Sequence, residues 1–182
     1  MPNATPSNQH QNQHSDQQRK RLPFRPRKWL NTWQKLGWRD RALLFEAVML
    51  LGMARATVLF VPFKRVAPHL GQAQIETTHG DANRPVNSAP HNTARRVAKA
   101  IYLVSRHTPW NSNCFAQALA GHVMLRRRHV ANTLYLGVYK KADEFAAHAW
   151  IRHEDLIVTG GPGQERYTVI ACYGWQPPAV TP

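Results

Sequence analysis

Cysteine is scarce in this chain: two in 182 residues, Cys114 and Cys172. Two isolated cysteines do not build the disulfide framework of a small secreted scaffold. The N-terminus is rich in Gln, Asn and His and lacks the apolar core of a secretory signal. A cytoplasmic protein with free thiols is the expectation. Acidic residues are scarce too, 10 Asp plus Glu against 24 Lys plus Arg, for a formal net charge of +14. So basic a chain is expected to meet something anionic: nucleic acid, a membrane surface or an acidic polypeptide. Apolar residues still make up 43%, enough for a core, and the length suits one domain with tails.

What is present is unevenly spread. Residues 1–38 read as a disordered basic tail. The stretch 1–18 is polar and of low complexity, unable to bury enough surface to offset ordering entropy. His10 and His14 there read as solvated. From Arg19 onward basic residues interleave with Trp29, Trp33 and Trp38. That mixture suits a membrane interface or nucleic acid. The spacing of Trp29 and Trp33 equally suits a helix packed on the domain.

Residues 39–66 hold the longest apolar stretch. Its length alone would span a bilayer, but Glu46 and Arg55 would be costly in hydrocarbon. It reads as an apolar helix capped by Asp40 and stopped by Pro62. Residues 67–92, with Pro68, Gly71, Gly80, Pro85 and Pro90, read as a linker or long loop. Residues 93–175 read as the core, and 176–182 as a C-terminal tail. Within the core, Thr93 caps a helix that Thr108-Pro109 breaks, and a second helix runs from Asn113 to Arg128. The period then changes to two, predicting strands at 134–139, 146–152, 156–159 and 167–173. Helix, helix, antiparallel meander is an α+β order.

Chemistry enters at Asn113-Cys114-Phe115, where a polar turn becomes a helix. The free amides and dipole of a helix start stabilise a thiolate, the reactive form of cysteine. The backbone N–H of Cys114 is the candidate oxyanion donor. His148, mid-strand between Ala147 and Ala149, is the candidate general base and acid, with Trp150 and Arg152 on its face. His122 is expected in the core. His153, on the opposite strand face, is a weaker base candidate, and Cys172 should be an inert buried thiol.

Five segments in order resemble the lasso peptide biosynthesis B2 proteins, leader peptidases of the transglutaminase-like superfamily. They are Ala42–Ala47 running through Ala54-Arg55 to Pro62-Phe63-Lys64-Arg65, then Arg95–Ile101, then Asn113-Cys114-Phe115. Leu125–Arg128 with Leu134–Val138 follows, and His148-Ala149-Trp150-Ile151 is the last. The resemblance covers roughly residues 40–172. It implies an α+β, transglutaminase-like (papain-like) cysteine protease core with N-terminal helices packed on an antiparallel β-meander. It places the nucleophile at Cys114 and the base at His148. The family has Leu where this chain has Phe115. It also has an aspartate on the strand after the histidine, where this chain has Thr159-Gly160. The nearest carboxylates are Glu154 and Asp155, and Asp155 is the candidate orienting acid, with Thr159 or a backbone carbonyl as substitutes.

The resemblance implies a cysteine peptidase that removes the leader from a ribosomally made lasso peptide precursor. No metal or other cofactor is expected for that cleavage. Its partners would be the precursor, a separate leader-recognition protein (B1-type) and an ATP-dependent lasso cyclase. Peripheral membrane contact through residues 19–61 is a further expectation. Two other readings stay open: an acyl- or amide-transferring relative of the same fold, and a basic non-enzymatic module for nucleic acid or an anionic membrane.

Overall fold

The computed structural model describes residues 37–77, 88–110, 112–141, 144–161 and 163–178. Of the tail expected over residues 1–38, residues 1–36 with His10, His14, Trp29 and Trp33 lie outside them, as do 78–87 and 179–182, whereas Trp38 belongs to the first helix.

The first helix, α1, spans Trp38–Phe60. Its run of Leu, Ala, Met, Glu and Arg favours a helix, and Val61-Pro62 ends it by removing an amide donor. It starts two residues before the expected cap. Gly37 is the N-cap, and its carbonyl accepts from the amides of Asp40 and Arg41 at 3.1 Å each. Asp40 lies inside the first turn, where its charge favours the dipole, and receives Arg96 at 2.7 Å. Leu43, Leu44, Ala47, Leu51 and Ala54 form the buried stripe.

A short helix α2 (Phe63–Val66) ends the segment expected as one apolar helix, and a 3-10 turn (Ala67–His69) and a two-residue strand β1 (Gln72–Ala73) occupy the start of the expected linker. Helix α3 (Ala89–Ser105) begins earlier than the periodicity indicated. Ser88 caps it, its hydroxyl accepting from the His91 amide at 3.4 Å, whereas Thr93 bonds back to the Ala89 carbonyl. Helix α4 (Cys114–Arg126) is the hub: Ala116, Ala118, Leu119, Ala120, His122, Met124 and Leu125 are all buried. A helix apolar on nearly every side must be wrapped on every side. Here α1, α3 and the strand layer do so.

The sheet holds β2 (Asn132–Lys141), β3 (Glu144–His153), β4 (Leu156–Thr159) and β5 (Thr168–Trp175), all antiparallel, in the order β1-β5-β2-β3-β4. The chain meanders through β2, β3 and β4. It then returns across the sheet so that β5 fills the place between β1 and β2. Ala149 and Ile151 face the helices, while Trp150 packs with Tyr135 and Cys172 on the other side. The expected placement of Cys172 as a buried strand thiol holds, and burial pushes it up from 9.0.

The arginine run at the end of α4 is absorbed by the fold. Arg126 donates to the His69 carbonyl at 2.8 Å and lies over the Trp175 ring. Arg127 and Arg128 both pair with Glu46 of α1. The carboxylate that argued against a membrane span thus locks α1 onto the end of α4. The side of α1 away from its buried stripe leaves Phe45, Met49, Met53 and Phe60 exposed.

Candidate active site

The turn before α4 is held at several points. The Asn113 side chain caps the helix, accepting from the Ala116 amide at 2.9 Å. Gln117 reaches back to the Ser112 carbonyl at 2.7 Å, and the Ser112 hydroxyl meets Thr108 at 3.0 Å. These bonds fix Cys114 as the first helical residue, where backbone amides have no partner from the preceding turn.

The β3–β4 ladder covers only Ile151–His153. Further along β3, the N-terminus of α4 comes up to Ala149 and His148. The Cys114 thiol hydrogen-bonds to the His148 imidazole and to the backbone at Ala149 and Phe115. Burial alone would push this thiol up. The His148 hydrogen bond, the Ala149 amide, the imidazole charge and the Phe115 amide together outweigh it, so Cys114 sits below 9.0. The two buried or half-buried cysteines are therefore displaced in opposite directions.

The other imidazole nitrogen is fixed as well. His148 Nε2 lies 2.7 Å from the Gly160 carbonyl oxygen. A carbonyl only accepts, so Nε2 carries the proton and Nδ1 is left as the acceptor that faces the thiol. The ring is held flat by aromatic neighbours, Tyr167 at 4.9 Å and Trp150 at 5.9 Å between centroids. Gly137 lies opposite His148 in the ladder. A Cβ on Gly137 would fall 2.9 Å from both the Trp150 ring and Tyr167, so a glycine is needed for those rings to close in.

The residues named from sequence are thus sorted by position. Cys114 and His148 meet. Asp155 does not join them: it sits exposed in the β3–β4 turn, past His153. Five residue steps along the strand separate His148 from His153, about 16 Å at the usual rise. The group on the imidazole is instead the Gly160 carbonyl, in the stretch where the family's aspartate was expected. Gly160 takes φ +82°, and a Cβ there would lie 2.6 Å from the Ala149 oxygen. No carboxylate-bearing residue fits that backbone. A neutral acceptor orients the ring and sets its tautomer but adds no negative charge, as the amide does in cysteine proteases of the Cys-His-Asn type. Thr159, the other substitute, is buried with its hydroxyl unpartnered.

His122 is buried in α4 with Nδ1 2.8 Å from Asn132 Oδ1, and burial pushes its pKa down. The Ala149 amide carries no residue-type signal, and only the fold brings the Tyr167 ring to His148, so neither is found from the sequence. Phe63, in the Pro62–Arg65 segment of the resemblance, also comes to the site. Its ring meets Phe115 at 5.8 Å, beside the nucleophile position.

The family model described as transglutaminase-like superfamily matches residues 57–172, which include Cys114, His148 and Gly160. The chain belongs to the transglutaminase-like superfamily. This α+β fold is of the cysteine-protease and transferase type. Comparison with curated proteins and with solved structures finds no match. In transglutaminase-like terms, Cys114 heads the helix and His148 stands on the strand against it.

Proposed function

We propose that this chain is a cysteine peptidase that removes the leader from a ribosomally made lasso peptide precursor. The observation that carries the reading is the acidified Cys114 thiol at the start of α4, against an imidazole whose far nitrogen is tied to Gly160. The five segments resembling B2 leader peptidases supply the substrate class. Cys114 Sγ attacks the scissile carbonyl while His148 Nδ1 takes the thiol proton. The Cys114 backbone N–H donates to the tetrahedral oxyanion. On collapse the C–N bond breaks, and the imidazolium gives its proton to the leaving amine. Water, deprotonated by His148, then opens the thioester to the carboxylic acid and returns the thiol.

The freed amine passes to an ATP-dependent cyclase, and a separate B1-type protein presents the leader. The work is cytoplasmic. The exposed apolar side of α1, with the basic residues preceding it, holds the protein at an anionic membrane surface.

The test is mass spectrometry of precursor and recognition protein incubated with the enzyme. Cys114→Ala should abolish leader release, and His148→Ala should slow it about 10²–10⁴-fold. Full cleavage by Cys114→Ala sinks the reading. The superfamily also includes transferases. Added amines ending up on the leader's new C-terminus, in place of water, would mark the chain as an acyl-transferring relative.

A further inference from the structure

A second cluster of ionisable groups lies at the opposite end of β3. His91 Nδ1 and His153 Nε2 are each 3.9 Å from Glu154 Oε2, and all three ligand atoms lie within 4.8 Å of one another. His91 is in the first turn of α3, His153 ends β3, and Glu154 opens the β3–β4 turn.

The decisive atom is His153 Nε2. His153 is 3% exposed, and this nitrogen is buried without a hydrogen-bond partner. Its Nδ1 lies 2.7 Å from the Ala131 carbonyl, which only accepts, so Nδ1 holds the proton. Nε2 therefore points a bare lone pair toward a carboxylate oxygen. Two acceptors lie 3.9 Å apart, too far for a hydrogen bond, and a cation placed between them would satisfy both. The arrangement also matches how metal-binding imidazoles are held, with the second nitrogen donating to a backbone carbonyl.

The spacing suits an ion. A point equidistant from the three atoms lies at most about 2.5 Å from each, close to zinc's bonds of about 2.0–2.2 Å. A shift of a few tenths of an ångström in the partly exposed His91 and Glu154 would complete the contacts. The turn adds a smaller point. Glu154 has φ +49°, a conformation that favours Gly or Asn, so its side chain is kept at a backbone cost.

We propose that His91, His153 and Glu154 form a metal site for a zinc-class divalent cation, clipping the start of α3 to the β3–β4 turn. Two imidazoles and one carboxylate favour zinc over magnesium or calcium, which prefer all-oxygen shells. Three protein ligands leave a fourth position for water. The site lies about 16 Å along β3 from His148 and is independent of the peptidase reading. A chain without leader-cleaving activity would still bind the metal.

The experiment is equilibrium dialysis of the full chain against zinc, with metal analysis and thermal melts. One zinc per chain should be retained, with a rise in Tm of several degrees, and magnesium should produce neither. His91→Ala and Glu154→Gln should each lose the metal and the rise, while their metal-free Tm stays near that of the metal-free wild type. His153, packed in the interior, is left intact so that loss of fold does not confuse the result. A His10→Ala/His14→Ala variant should keep the zinc. Cobalt loading should give tetrahedral visible bands without thiolate charge transfer, which separates this site from Cys114. Zinc retained by both His91→Ala and Glu154→Gln, zinc lost with the tail histidines, or a cobalt–thiolate band as the sole signal would each overturn the proposal.

Discussion

At the scale of the residue, the chain makes two thiols chemically unequal. Cys114 is displaced below 9.0 and Cys172 above it. Reactivity with iodoacetamide needs the thiolate, so it should be present above the Cys114 pKa and fade as pH falls through it. Rate-versus-pH curves should therefore inflect below 9.0, with label found on Cys114 and not Cys172 by peptide mapping. Removing the imidazole leaves burial as the main influence, so His148→Ala should move the inflection up. An unmoved curve would mean that His148 does not activate the thiol. Gly160→Ala tests the carbonyl on the imidazole. The added methyl cannot fit against Ala149, so the peptide must shift and take the acceptor with it. Leader cleavage should fall about a hundredfold, the usual effect of an ångström's misplacement, and the Cys114 inflection should rise. A variant that folds and cleaves normally would show that the Gly160 bond is incidental.

That contact also marks where the sequence stopped being legible. Cys114 before an amphipathic helix and His148 in an alternating strand announce themselves by residue type and period. A backbone carbonyl has no residue type. Residue type points instead to Asp155, a carboxylate in the right part of the chain but in a turn at the wrong end of the strand. The Ala149 amide was hidden for the same reason.

At the scale of the element, α1 reads ambiguously in sequence because it is apolar nearly all round. The fold resolves it into two sides. Leu51 is fully buried among α3 and α4, while Met53, two residues on, is 61% exposed. Leu51→Ala should cost about 2–5 kcal/mol in denaturant unfolding, and Met53→Ala less than about 0.5 kcal/mol. Equal effects would mean that α1 does not dock as described. The caps of α1 and α3 lie three and five residues ahead of the expected Asp40 and Thr93 for a plain reason. Capping can be carried by a residue well ahead of the apolar period, as Ser88 is for α3 and Gly37 for α1. The order of β5 was equally hidden, since period two predicts a strand but not its neighbour.

At the scale of the whole molecule, the charge of +14 and the uncovered side of α1 belong together. The full chain should sediment with anionic phospholipid vesicles at low salt and detach as salt rises. Met49→Glu with Met53→Glu should weaken this severalfold without lowering Tm. Unchanged sedimentation would remove α1 from the contact. The sheet order has its own consequence for the making of the protein. Among the described strands β5 comes last in the chain, yet it takes an interior place between β1 and β2. A growing chain thus carries both Cys114 and His148 before β5 is present to join β1 to β2, and this non-local pairing forms late. On the ribosome the protein holds its reactive groups in an unfinished frame. The pairing of Cys114 with His148 would gain its full sheet support only once β5 has emerged.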